Sequence, residues 1–287
     1  HKIVIVKHII PYAEAIVTQV CTLVCPGCST YSDLNYKGYT TWDEGRCAIE
    51  PWLERVEFEH FGIMGGEPLV NPKIKDWILG IRELMPNTVI RFPVNGTLIH
   101  KHLDVVDLLH DIGNVIFKIT VHTNDSIIND AVATITNRYQ WEKEIFEYNN
   151  TRLVTSNNFK FQVNSPQTFF KTFKNEYENA APYDTNPTDA FDQCHQKECP
   201  LLINGRIYKC STSGLMEDVL KRFDYPNHEQ WAPYLDDAKN GSIGLDSTDD
   251  DIVKFINNIR KPHSTCRQCP SQETVTAINH PQTVTFR

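Results

Sequence analysis

Three of the nine cysteines in this 287-residue chain, Cys21, Cys25 and Cys28, stand at spacings of four and three in C-T-L-V-C-P-G-C. Thiolates are soft ligands that select zinc, copper(I) or iron–sulfur clusters. Three of them fall one short of the four that a closed structural zinc site takes. A cubane cluster held by three thiolates keeps one iron with an open position, where another molecule can bind. The remaining cysteines are grouped too: Cys194, Cys199 and Cys210, then Cys266 and Cys269, with Cys47 apart. Disulfide scaffolds are small and cysteine-dense, and an odd count leaves one thiol over. Groups separated by long cysteine-free stretches fit metal binding in a reducing cytoplasm, the expected location.

Something must hold those thiols, and the flanking sequence supplies it. Residues 14–20 (E-A-I-V-T-Q-V) are short, apolar and β-branched, which predicts a buried strand delivering the chain to Cys21. Thr41, with Glu44 three residues on, opens a helix through a capping box. That helix carries Ile49, Trp52, Leu53 and Val56, with a second segment starting at Pro51. Residues 60–68 read as a strand ending in a glycine-rich turn, and 74–85 as an amphipathic helix. A strand at 88–94 closes on Asn95-Gly96. A helix at 103–109, a strand at 115–121, a helix over 125–148 and one or two strands within 153–163 follow.

Such alternation implies a parallel sheet with right-handed crossovers. There are too few units for an eight-fold barrel, so the expected fold is α/β, a partial (β/α)6 barrel with a small C-terminal domain. Residues 1–165 form its core, 166–193 a linker or substrate-side loop, and 194–287 the second domain. Ligands of parallel α/β folds gather at the C-terminal ends of the strands, where the cysteine loop falls. No run of about 18 apolar residues predicts a membrane span. The opening residues, interrupted by Lys2, Lys7 and His8, make a poor signal peptide. A net charge of −8 argues against a nucleic-acid partner.

The triplet is followed, at the next strand end, by Gly65-Gly66-Glu67-Pro68, and together they resemble the radical S-adenosylmethionine (SAM) superfamily over about residues 13–165. The resemblance implies a [4Fe–4S] cluster on Cys21, Cys25 and Cys28, with SAM bound to its open iron. It assigns Gly65, Gly66, Glu67 and Pro68 to the methionine amino group. Glycines let backbone approach a ligand, and a carboxylate accepts from an ammonium with charge assistance. The V-N-G-T turn at 94–97 resembles the family's T-N-G turn near the adenosine, which adds Asn95 and Gly96. One position departs: the residue before the third cysteine, usually aromatic, is Gly27, with Tyr31 as the candidate replacement ring. Alone, the triplet also fits a zinc site completed by His60 or a distant cysteine; the ordered pair of motifs favours the cluster.

Cys194, Gly205 and Cys210 form C-x10-G-x4-C, with a hairpin expected at Asn204-Gly205. A helix-like stretch near 251–259 precedes Cys266-x2-Cys269. This pattern resembles the short auxiliary-cluster region called a twitch domain, a variant of the SPASM type, and implies one auxiliary [4Fe–4S] cluster. Its ligands would be Cys194, Cys210, Cys266 and Cys269, with Cys199 the alternative to Cys194. A four-cysteine structural zinc is the other reading of the same spacing. Cys47 reads as a small buried helix residue and His122 as a structural histidine that could also face substrate. Trp42, Trp52 and Trp77 are expected to pack against the sheet.

The resemblance implies an enzyme that takes one electron from an external flavodoxin- or ferredoxin-type donor. It would cleave SAM reductively to a 5′-deoxyadenosyl radical and abstract a hydrogen atom from substrate in an oxidoreductase, epimerase or isomerase type of reaction. The auxiliary cluster would then suit acceptance of a second electron. With no peptide-recognition extension before the first strand, a small molecule such as a sugar or nucleotide derivative is favoured over a peptide. Peptide maturation, and a non-catalytic zinc or iron–sulfur scaffold, are the alternatives.

Overall fold

The structure is a computed structural model that describes residues 7–123, 126–147, 150–165, 168–223, 228–279 and 284–287. The chain enters through β1 (His8–Ile16) and the two-residue β2 (Leu23–Val24). Then come α1 (Trp42–Ile49), β3 (Val56–Met64), α2 (Ile74–Leu84), β4 (Val89–Val94), α3 (Leu103–Ile112), β5 (Val115–Thr120) and α4 (Ser126–Arg138). A ribbon of β6 (Lys143–Glu147) and β7 (Asn150–Val154) leads into β8 (Phe159–Asn164) and the short β9 (Thr168–Phe170). After α5 (Pro187–Gln193) comes the hairpin β10 (Leu201–Ile203) and β11 (Arg206–Tyr208). It is followed by α6 (Ser211–Phe223), α7 (His228–Asn240), α8 (Asp249–Asn258), β12 (Ala277–Asn279) and β13 (Thr285–Phe286).

One sheet runs in the order β11-β10-β1-β3-β4-β5-β8-β7-β6, parallel from β10 to β8 and antiparallel at both edges. This is the partial barrel that the alternation predicts. Its sixth parallel strand comes from β10, so the sheet runs across the expected boundary at residue 194. Strand alternation sends Ile90, Phe92, Phe117, Ile119, Phe159 and Phe161 into a fully or almost fully buried core with Trp77, Ile78 and Ile81 of α2. Each such side chain contributes about 1.5–3 kcal/mol. The alternate residues, among them Arg91 and Lys118, stand on the other face of the sheet.

The local signals at α1 act as expected. The Thr41 amide donates to Glu44 Oε2 at 2.7 Å and the Glu44 amide donates to Thr41 Oγ1 at 3.4 Å. A 3-10 turn at Glu50–Glu54 takes Pro51. Trp52 and Trp77 are buried, and Trp42 lies edge-on to Trp77 with ring centroids 5.3 Å apart.

Other expectations need correction. The first strand ends at Ile16, so residues 17–20 are an exit segment rather than strand. The helix expected over 125–148 stops at Arg138, and the chain turns back as β6, paired with β7 at the sheet edge. Its ends, residues 125 and 148, lie outside the described residues. Lys143 and Glu144 suit an edge strand because charge blunts further pairing. Cys47 is exposed on α1 rather than buried, since Gly45 and Ile49 take the inward positions. Within the expected linker, β9 pairs with β12. Among the described residues no helix is long and apolar enough to cross a membrane.

Candidate active site

The exit segment of β1 is laid against the glycine turn that follows β3. The Gly66 amide donates to Thr18 O at 2.8 Å and the Glu67 amide to Val20 O at 2.9 Å. A Cβ on Gly66 would stand 2.4 Å from Val20 O and 2.9 Å from Cys21 Cβ, so only glycine permits this approach. The glycines thus serve the seating of the cysteine loop on the neighbouring strand end, a role the ligand-approach reading does not include. Both Glu67 oxygens accept backbone amides, Oε2 from Asn95 at 2.7 Å and Oε1 from Leu69 at 3.1 Å. Its carboxylate is buried and joins the ends of β3 and β4; burial pushes it up to about 7 despite those two amides.

Asn95 completes the frame. Its Nδ2 donates to Thr22 Oγ1 at 3.0 Å and lies 3.5 Å from Cys21 Sγ, while its Oδ1 accepts from Thr97. Cys21, Cys25, Cys28, Gly65, Gly66 and Asn95 line one cavity of about 140 Å³. Pro68, Glu67 and Gly96 stand behind that wall: Pro68 begins a short 3-10 turn and Gly96 takes φ +85°. Burial raises all three thiols, Cys21 to about 12, so a metal must displace protons to be held. Among the described residues no three His, Cys, Asp or Glu converge closely enough for a single metal ion. A thiol-lined space several times larger than one water requires fits a cluster in the chemistry of its donors. His60 is engaged elsewhere: it accepts from Arg91 Nε at 3.2 Å and does not line this cavity.

The Gly27 position has a physical reason. Its φ is +78°, and a Cβ there would lie 2.8 Å from Phe170 O, so β9 occupies the space a side chain would need. Tyr31 does not turn towards the cavity. Its ring is buried in a second core with Phe173, its hydroxyl 3.1 Å from Thr172 Oγ1. The ring lining the thiol cavity is Phe169 of β9, beside His122 at a centroid distance of 5.6 Å.

A larger cavity of about 450 Å³ adjoins the first, and Ser29, Thr120 and Phe169 line both. Cys194, Cys210 and Cys269 also line it, and none of them lines the first cavity. Cys266 belongs with them electrostatically, since Cys194, Cys210 and Cys266 all act on Cys269, whose thiol burial pushes far up. Cys194 is raised to about 12 for the same reason. Cys199 does not line the cavity, and Glu14 and Arg91 act on it more strongly than Cys194 and Cys210 do. Cys194 thus lines the cavity with Cys210 and Cys269, whereas Cys199 and Cys266 do not.

Several residues were missed. Thr120 and Lys118 alternate with the core positions of β5, a pattern that could have flagged them. Glu14, a carboxylate inside an apolar strand, was another signal; it accepts from the Tyr12 hydroxyl at 2.7 Å. The aromatic-rich stretch from Phe169 to Tyr183 read as a cover over the mouth or as loop packing, and it is the pairing of Phe169 with Ile278 that brings this ring to the site. At its other edge the cysteine loop is held by β13, which pairs with β2, and by Arg287, which donates to Asp33 O at 2.7 Å.

Among curated proteins no match was found. Among solved structures, the crystal structure of SuiB from Streptococcus suis is 20% identical, with a TM-score of 0.33, over 42% of this chain and 26% of that one. The crystal structure of BtrN in complex with AdoMet and 2-DOIA is 16% identical, with a TM-score of 0.33, over 42% of this chain and 49% of that one. The aligned part thus spans about a quarter and about half of those chains. The stretch from residue 15 to 151, which carries the cysteine loop, the glycine turn and Asn95, matches the model of the Radical SAM superfamily, and this part of the chain is a radical SAM domain.

Proposed function

We propose that the chain is a radical SAM enzyme acting on a small, hydroxylated molecule, with an auxiliary iron–sulfur cluster on Cys194, Cys210, Cys266 and Cys269. The observation that carries this reading is the shared wall of Ser29, Thr120 and Phe169 between a cavity lined by three thiols and a larger one lined by three others. Cys21, Cys25 and Cys28 would hold the first cluster, which would supply one-electron reductive cleavage of SAM and so hydrogen-atom abstraction from substrate. The cofactors carry the difficult chemistry, while protein groups bind, orient and exclude water.

Thr22, Asn95 and the Leu23 amide fix Cys21, while Gly65 and Gly66 offer backbone at the cavity wall. Phe169 and Thr120 stand between cofactor and substrate space, and β9 covers it. The larger cavity is lined by Ser29, Asn164, Thr172, Gln196 and Thr212, hydroxyl and amide groups suited to a sugar or nucleotide derivative. Its volume lies within the range of small-molecule sites. Among the described residues the lining includes one lysine, Lys118, and no carboxylate. The electron comes from an external flavodoxin- or ferredoxin-type donor. A net two-electron oxidation suits the second cysteine group, three of whose thiols line the same cavity.

Anaerobic reconstitution with iron and sulfide tests the proposal. Brown protein with about eight irons that forms 5′-deoxyadenosine from SAM on reduction is expected. Cys21→Ala should abolish that product, whereas Cys266→Ala should spare cleavage and lose turnover of substrate. Colourless protein carrying only zinc would refute it.

A further inference from the structure

Lys209 precedes Cys210 at the end of β11 and is only 5% exposed. A buried ammonium needs both hydrogen-bond acceptors and a countercharge. Its acceptors are all backbone carbonyls: Lys197 O at 3.2 Å, Asn258 O at 3.5 Å and Ile259 O. The Phe191 ring lies 5.0 Å from Nζ. Three separate segments meet here. Lys197 is in the loop between Cys194 and Cys199, Lys209 is on the hairpin carrying Cys210, and Asn258 and Ile259 end α8, before Cys266 and Cys269. The C-terminal end of a helix is also where a cation is favoured.

We propose that Lys209 is the positioning residue of the second cysteine group. Its ammonium stitches together the three segments that bear Cys194, Cys210, Cys266 and Cys269, and supplies the positive charge that offsets their thiolates once a cluster is bound. This rests on the auxiliary-cluster reading above. A Lys209→Gln change keeps hydrogen-bond donors and removes the charge, Lys209→Met removes both, and Lys209→Arg keeps the charge. A cation next to a cluster favours the reduced, more negative state, so its loss must make the cluster harder to reduce.

The test is redox titration of the reconstituted full-length chain, followed by electron paramagnetic resonance, together with iron content. The signal that SAM does not alter reports the second cluster. Lys209→Gln should keep about eight irons and shift that cluster's midpoint downward, and Lys209→Arg should stay near the unsubstituted value. Lys209→Met should also lose iron, towards about four per chain. An unshifted midpoint in Lys209→Gln would overturn the electrostatic role, and full iron in Lys209→Met would overturn the stitching. Unsubstituted protein with only about four irons would instead overturn the auxiliary reading, a separate result.

Discussion

Replacing Gly66 with alanine tests whether the glycine turn is the seat of the cysteine loop. The new methyl would lie 2.4 Å from Val20 O, 2.7 Å from Val20 C and 2.9 Å from Cys21 Cβ. Those are main-chain or rigid atoms, so no flexible side chain can give way. Reaching an ordinary contact of 3.4 Å needs a displacement of about 1 Å between the two strand ends. Metal–ligand distances tolerate about 0.2 Å, so Cys21 cannot follow the shift and stay in register with Cys25 and Cys28. Overpacking costs about 1–3 kcal/mol, and each loosened amide bond to Thr18 O or Val20 O about 1 kcal/mol more. The expected result is a destabilisation of about 2–5 kcal/mol in urea melts of the metal-free chain. Iron should fall by about half on reconstitution, the second cluster surviving, with no 5′-deoxyadenosine formed. A variant with full iron and SAM cleavage within twofold of the unsubstituted chain would refute the reasoning.

Three further outcomes follow from the geometry. Restoring an aromatic with Gly27→Tyr should destabilise by about 2–4 kcal/mol and weaken SAM binding in calorimetry, because β9 fills that space; tighter binding would contradict this. Cys194→Ser should lose the second cluster's iron while Cys199→Ser keeps it, and the reverse pattern in an iron assay would undo the assignment. Burial holds the Glu14 carboxyl up at about 7 from 4.5, against the opposing pull of Tyr12 and Arg91. The folded chain therefore binds more protons than the unfolded one between those values. Stability must fall as pH rises through that window, by about 3 kcal/mol at most. Glu14→Gln, which still accepts from Tyr12, should flatten that slope in urea melts at pH 5 and 8, leaving the part due to Glu67.

Much of the first site was legible because its signals are local. A cysteine triplet, a glycine turn and an Asn-Gly pair each sit within a few residues of a strand end, and parallel topology gathers such ends on one edge. The capping box at Thr41 and the Asn204-Gly205 turn were legible for the same reason. What could not be read depends on long-range pairing. Phe169 reaches the cavity only because β9 finds β12, and Gly27 is explained only by Phe170 lying over it. The helix expected over 125–148 failed because an apolar pattern around Tyr139 and Trp141 does not distinguish a helix face from a turn packed over Phe159. Cys47 failed because the inward stripe of α1 falls on Gly45 and Ile49 instead.

The brace formed by β13 and Arg287 also bears on how the protein assembles. Arg287 Nη1 donates to Ser32 O across 255 positions of sequence. Contacts at such separation form late, since the loop-closure entropy must be met before they contribute. The brace on the thiol loop is therefore expected among the later contacts of folding. Metallation of a nascent or partly folded chain would meet a loose, open loop. The finished site, by contrast, is latched by a strand more than 250 positions away in sequence.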